Sequence, residues 1–412
     1  MRKWFGLLAL CLLASSAFAG GYRTHRMNDG SVLSFKHHAV EPMGLAPVES
    51  WDADKVYRVP VILISFDDCD FSCDDPKQFY EDLFNKQGHN LGKGPGCVAD
   101  YFRDQSHGLF NIQFDIIGPV KLESMQKSGS NNYGTSQFYE AVRTVDPQVD
   151  FAGFDWDGEG RIPAVIFIYA GYGGNESASV ADGCITPNTG YFGRAVDDGA
   201  RRLSYYSASA ELWSNNVSCG IGTICHEYCH TMGIPDLYPT SGSEYSVLDE
   251  WDIMDGGCFS DDGWCPPNLS IHERELLKWQ SPTDLTVSVH ITDMPPFDKG
   301  GMAYRIVNEA YPSEYYLLEN RQQTGWDMML PGHGLLVSHV DYSESVWNYV
   351  TVNNDPSHHR FDYFHADGHD FNYYESLYGL KNVYRDDGKS ILRTDSIFQM
   401  LSKLKFSCTG HR

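Results

Sequence analysis

His226-Glu227-Tyr228-Cys229-His230 is the stretch of this chain whose residue types and spacing can do chemistry. On a helix, residues four apart share one face, so two imidazoles there can converge on a single cation. Zinc takes imidazole nitrogen at about 2.0–2.1 Å. Glu227 sits beside the first histidine and can reach a water on that metal without displacing it. Zinc lowers the pKa of such a water to about 7, and a neighbouring carboxylate can take its proton as the oxygen attacks a carbonyl. H-E-x-x-H also arises by chance in helices, so the flanks must carry the argument.

Gly233 permits a sharp turn off the helix end, because glycine tolerates positive φ. Pro235 then forbids further helix. The chain doubles back and brings Asp236 toward the two histidines. The whole reads H-E-x-x-H-x-x-G-x-x-D, which is similar to the long zinc signature of the metzincins with Asp in place of the usual third His. Three protein ligands leave the fourth position open, as a catalytic zinc requires. Met254 lies in the glycine-ended stretch Trp251–Gly257 and is the candidate Met-turn residue, which in metzincins floors the metal. A competing third ligand is Glu250, twenty residues past His230, where thermolysin-like enzymes carry a glutamate. H-E-x-x-H does not choose between them, whereas Gly233, Pro235 and Met254 favour Asp236. Cys225 and Cys229 are separated by three residues, not the two of a haem-attachment C-x-x-C-H, and are expected to pack in the core or form disulfides.

These residues need a scaffold. Val59–Phe66 and Ala164–Tyr169 read as buried strands, and Leu109–Ile117 as a third. Helices are expected from Asp75-Pro76 through Phe84, over Cys97–Gln105, over Ser136–Val145, and at about 220–232 around the motif. After Trp279 the texture changes to short β-like runs at Leu285–Ile291, Met302–Val307, Tyr315–Leu318 and Gly334–Val340. A domain boundary is placed near residue 283.

The chain begins with Arg2-Lys3, an apolar run from Trp4 to Ala14 and a small-residue end at Ala17-Phe18-Ala19. That is the pattern of a secretory signal over residues 1–19, so an extracellular or periplasmic protein is expected. No later stretch approaches the roughly 20 apolar residues of a membrane span. Of eleven cysteines, ten remain after the signal, and in an exported chain disulfides are the default, with Cys69/Cys73 and Cys258/Cys265 close enough to pair locally. Lys and Arg number 31 against 55 Asp and Glu, a net charge of −24, which disfavours nucleic acid and anionic lipid as partners. The 42% hydrophobic content excludes disorder as the global state.

With these residues in view, the chain resembles the immune inhibitor A-like metallopeptidases, a secreted bacterial branch of the metzincins. The resemblance is carried by Gly220–Tyr238 with its Pro-Asp-Leu-Tyr end, and by Trp251–Gly257, Pro266-Pro267 and Glu273–Trp279. Val98–Ser106, Ile168–Gly173, Leu317–Gln322 and Pro331–Gly334 also resemble that family, so the coverage runs from about Val59 to Gly368. It implies an α+β protein: a metzincin-like catalytic domain at 55–283 with a twisted sheet, an active-site helix and a Met-turn, then a β-rich C-terminal domain at 284–412. Residues 20–54 would be an N-terminal extension or short prosegment. The resemblance further implies a zinc endopeptidase acting on proteins or peptides, expected as a monomer, with Glu227 as general base and then acid. Family members carry a loop of the form D-x-D-G-D-G-x-x-D. Here Asp155, Asp157 and Glu159 are candidate Ca²⁺ ligands, but Pro163 replaces the final carboxylate.

Three weaker signals remain. Trp326, Tyr342, Trp347 and Tyr349 are expected in a β core rather than on a carbohydrate site. His333, His339, His358 and His359 lack ligand spacing, and the sequons at Asn175, Asn216 and Asn268 carry little weight if the source is bacterial, as the resemblance implies.

Overall fold

Runs that are apolar at nearly every position, such as Val59–Ile64 and Val165–Ala170, can only be strands covered on both faces. The computed structural model describes residues 22–36, 50–129, 132–241, 246–364 and 405–408, and it builds the core from those runs. The expected signal at 1–19 lies outside the described residues. In chain order come β1 (Tyr22–Arg26), β2 (Val32–Lys36), β3 (Tyr57–Ser65), α1 (Pro76–Asn85), α2 (Val98–Gln105), β4 (Ile112–Lys121), α3 (Thr135–Val145), β5 (Arg161–Tyr172), β6 (Asn188–Val196), β7 (Arg201–Leu212) and α4 (Gly222–Thr231). They are followed by α5 (Ile271–Leu276), β8 (Thr283–Asp284), β9 (His290–Met294), β10 (Tyr304–Val307), β11 (Glu314–Arg321), β12 (Gly334–Asp341), α6 (Glu344–Asn348), β13 (Phe361–Tyr363) and β14 (Lys405–Cys408).

The first large sheet has the order β4-β3-β5-β7-β6. Its first four strands are parallel, and β6 runs antiparallel along the outside of β7 with Thr189 opposite Ser207. Helix α3 covers one face, where Phe138 stacks on Phe167 with ring centroids 4.5 Å apart. Helices α2 and α4 cover the other, where Phe102 meets Tyr228 edge-on at 5.2 Å. Strand alternation sends Tyr206 toward α3 and Ser207 and Ser209 toward α4. Small side chains on that row let the helix lie close to the sheet. Gly222, at the first turn of α4, is required for a similar reason: a Cβ there would sit 1.9 Å from the carbonyl oxygen of Cys258.

A second sheet has the order β13-β12-β11-β10-β8. Tyr315, Leu317 and Leu336 from its strands share one apolar core with the first sheet and its helices. Buried polar bonds cross the boundary read near 283. The Ile271 amide at the start of α5 donates to Glu319 Oε1 at 3.0 Å. Arg321 makes a bidentate pair with Asp327, 2.6 Å on each arm, and Asp327 Oδ1 also accepts from the Asn268 amide at 2.9 Å. Removing one partner of such a buried pair strands the other charge, at about 3–5 kcal/mol.

The disulfide expectation is corrected in part. Cys69, Cys73 and Cys265 are thiols, so neither local pair is joined, and Cys225 and Cys229 are buried thiols rather than a bridge. Burial pushes the Cys225 and Cys229 thiols well above the usual range, so they fill the core as small apolar groups. Trp326 and Trp347 are buried, as a core reading requires, whereas Tyr349 is exposed and lies outside that core. His339, His358 and His359 face the carboxylates of Glu314, Asp341 and Asp362 respectively. Asn175 and Asn268 are buried and so offer no surface to a glycan. Among the described residues, no helix is long and apolar enough to cross a membrane.

Candidate metal centre

Helix α4 is buried along its whole length, so its histidines reach the interior and not solvent. It ends as the sequence requires. Gly233 adopts φ +92°, its amide donates to His230 O at 2.9 Å, and the Ile234 amide reaches back to Cys229 O at 3.2 Å. A side chain at that φ would be strained. The bend returns the chain beneath the helix end and delivers Asp236.

Three ligand atoms then meet. His226 Nε2, His230 Nε2 and Asp236 Oδ1 form a triangle with every edge 3.2 Å. His226 Nδ1 donates to the Ile253 carbonyl at 2.8 Å and His230 Nδ1 to the Ile234 carbonyl at 2.7 Å. A carbonyl only accepts, so each Nδ1 carries its ring's hydrogen and each Nε2 presents a lone pair. Asp236 is 0% exposed, and the groups that face its carboxylate are the two imidazoles and the Tyr238 phenol. Three converging lone pairs in a buried space repel one another unless a cation lies between them. A tetrahedral zinc at its usual ligand distances needs donor–donor edges of about 3.3 Å, so the donor set fits that ion.

The electrostatics agree in direction. Burial opposes protonation of His226, but Asp236 and then Glu227 outweigh it and raise its pKa to about 9. Burial likewise opposes ionisation of Asp236, yet His230 and His226 pull it well below the usual carboxylate range. The carboxylate thus draws positive charge onto the same nitrogens that a metal would occupy. Among the described residues these three are the group whose ligand atoms gather this way. Glu250, the competing ligand, is half-buried in a short turn at 249–251 and is not part of that group.

The stretch around Met254 acts on the site through its backbone. Ile253 O holds the first histidine, and Met254 O accepts from the Leu237 amide at 2.9 Å, one residue after Asp236. The turn is itself tied down, since the Met254 amide donates to Asp252 Oδ1 at 2.8 Å. Met254 is fully buried.

Two neighbours were not foreseen from the sequence. Thr189 on β6 places Oγ1 2.8 Å from Glu227 Oε2 and 2.8 Å from Glu227 O, so its one hydroxyl proton is shared between the carboxylate and the backbone carbonyl of the same residue. No sequence signal marks Thr189, because it lies in a polar edge strand without apolar alternation. Tyr238 lays its ring parallel to His226, 10° off and 6.5 Å away. Burial, then the charges of Asp236 and Glu227, keep its phenol protonated far above its ordinary range. Its signal was available, in the Pro-Asp-Leu-Tyr end of the motif.

The acidic loop does not gather. Asp155 Oδ1 accepts the Gly158 amide and Oδ2 the Gly160 amide, at 3.0 and 2.9 Å. Asp157 Oδ1 accepts the Glu159 amide at 3.0 Å, and its Oδ2 faces Arg161 at 3.5 Å. Asp155, Asp157 and Glu159 are therefore not brought together as ligands, and the calcium reading finds no support. The carboxylates of Asp155 and Asp157 close their own turn by accepting its amides.

Residues 205–281 match the family model described as immune inhibitor A peptidase M6, catalytic domain. That span runs from β7 through α4, the Asp236 bend and the Met254 turn to α5, so the matched residues are those that assemble the triangle. This is a metallopeptidase. Over those residues the chain is similar to the catalytic domain of that family, in agreement with the motif resemblance. No curated protein matches the chain.

Proposed function

We propose that this protein is a secreted zinc endopeptidase that hydrolyses peptide bonds in proteins, acting as a monomer. The observation that carries the reading is the buried 3.2 Å triangle of two imidazole nitrogens and a carboxylate oxygen. His226, His230 and Asp236 would hold the ion. When bound, zinc would supply a Lewis acid that polarises the scissile carbonyl and acidifies water. Glu227 serves as general base: Thr189 engages Oε2, and Oε1 takes the proton and later returns it to the leaving amine. Tyr238, kept as a phenol beside the ligands, is a hydrogen-bond donor facing developing negative charge. Strand β6 is an edge of its sheet among the described residues, so an extended substrate can add to it and run past Thr189. The basic-then-apolar start of the chain supports export.

The test is casein hydrolysis by the purified full chain, with and without o-phenanthroline, beside Glu227→Ala. The chelator should abolish activity, and the variant should lose about 10²–10⁴-fold in kcat while keeping its metal. Equal hydrolysis in all three samples would leave a non-catalytic, zinc-stabilised binding protein as the better reading.

A further inference from the structure

The bend that carries Asp236 is gripped from a distant part of the chain. Asn353 Nδ2 donates to the Leu237 carbonyl at 2.7 Å, across 116 residues of sequence, and to Phe361 O at 2.9 Å. Its Oδ1 accepts the Arg360 and Phe361 amides at 3.0 and 3.1 Å. Asn353 is fully buried, and these bonds use both donor hydrogens and both acceptor positions of its amide. The Leu237 amide meanwhile donates to Met254 O. Both backbone polar groups of the residue after Asp236 are therefore fixed, one by the Met254 turn and one by Asn353. The grip continues one turn further. The Thr240 amide donates to Asn354 Oδ1 at 2.6 Å, and Thr240 Oγ1 donates to Val350 O at 2.8 Å.

We propose that Val350, Asn353 and Asn354 form the outer brace of the metal centre, with Asn353 a positioning residue that aims the Asp236 carboxylate at the two histidines. The proposal rests on the reading of Asp236 as a metal ligand. The groups that face the Asp236 carboxylate are the two histidines and the Tyr238 phenol, which rides on the same bend, so its aim depends on the backbone that carries it. That backbone leaves a helix at a glycine and passes a proline, so local structure beyond residue 234 does not hold it. Partners that orient a ligand are commonly worth 10- to 100-fold in metal affinity. The brace comes from beyond the boundary read near 283, so the C-terminal part of the chain completes the centre rather than decorating it.

The experiment measures zinc affinity of the full chain by competition with the chelator 4-(2-pyridylazo)resorcinol, well below the melting temperature of every variant. Asn353→Ala and Asn353→Asp, the latter keeping shape and acceptor but losing the donor to Leu237, should each bind zinc about 10- to 100-fold more weakly. Val352→Ala removes a buried neighbour that makes none of these bonds, and it should melt earlier while holding zinc as tightly as the parent. If neither Asn353 variant folds, Thr240→Val, which cuts the bond to Val350 O, should weaken zinc in the same direction by about three- to tenfold. Parent-like affinity in the Asn353 variants, or an equal loss in Val352→Ala, would overturn the brace. A parent chain that takes up no zinc, or an Asp236→Ala chain that keeps it, would instead remove the ligand reading and the brace with it.

Discussion

Two acidic motifs invite a cation in this chain, and they end differently. At the end of α4, two imidazole lone pairs and a carboxylate oxygen converge with no donor between them. In the loop at 155–160, the carboxylates spend their lone pairs on the amides of Gly158, Glu159 and Gly160. Each pattern has plausible ligand types at plausible spacing. The difference lies in where the backbone amides point: a loop that closes on itself supplies its own donors, while a helix, whose amides are already bonded within it, leaves its side chains unsatisfied. A cation site is thus a place where the fold withholds donors.

His272 sharpens the comparison from another side. Its Nε2 is also buried without a partner, but the ring sits among Tyr342, Trp347 and Phe361, with Nδ1 on the Tyr315 hydroxyl at 3.1 Å. No carboxylate draws charge onto it. Burial, and then Arg305, push its pKa down to about 3, so it stays neutral where His226 is drawn toward the cation. An unsatisfied nitrogen is not a metal site by itself; convergence with an anion is what separates the two.

The largest expected break of this comparison is Asp236→Ala, which should cost the chain its zinc outright, while Glu250→Ala keeps one ion per chain. Elemental analysis of the purified variants decides it, and the opposite pattern would transfer the third-ligand role to Glu250.

Next in size is the acid response of His272. Its folded pKa of about 3 lies below the ordinary value of 6.5. The folded state therefore binds fewer protons than the unfolded chain, so this contribution is full above pH 6.5 and fades as pH falls toward 3. The slope is about 1.4 kcal/mol per pH unit in that window. Thermal melts from pH 7 to pH 4 should show His272→Phe falling less steeply than the parent; parallel curves would mean the ring is not held neutral.

A smaller effect is expected at Thr189. Thr189→Val deletes the hydroxyl that steadies Glu227 but leaves His226, His230 and Asp236 alone, so kcat should drop about tenfold, about 1.4 kcal/mol, with zinc content unchanged. Thr189→Ser should recover most of that loss. The smallest effect concerns the acidic loop: added Ca²⁺ or EGTA should move the melting temperature of the zinc-loaded protein by less than about 1 °C, because no cation linkage operates there. A clear calcium-dependent rise would restore the loop as a site.

What the sequence by itself determined is local and periodic. The helix around His226 and His230, its end at Gly233 and the return of Asp236 were legible because helix geometry, a positive φ and a proline act within a few residues. The apolar strands β3 and β5 were legible because both their faces are covered. Strands β6 and β7 escaped notice, since the row facing α4 carries Thr189, Ser207 and Ser209 in place of an apolar run. Only the tertiary structure decided the rest: which carboxylates converge, that Thr189 meets Glu227, that thiols stay unpaired, and that Asn353 reaches Leu237. The Thr189–Glu227 and Asn353–Leu237 contacts join residues 38 and 116 positions apart. No local rule of spacing can express them, because they depend on which strand lies beside which and on which donors the folded backbone has already used.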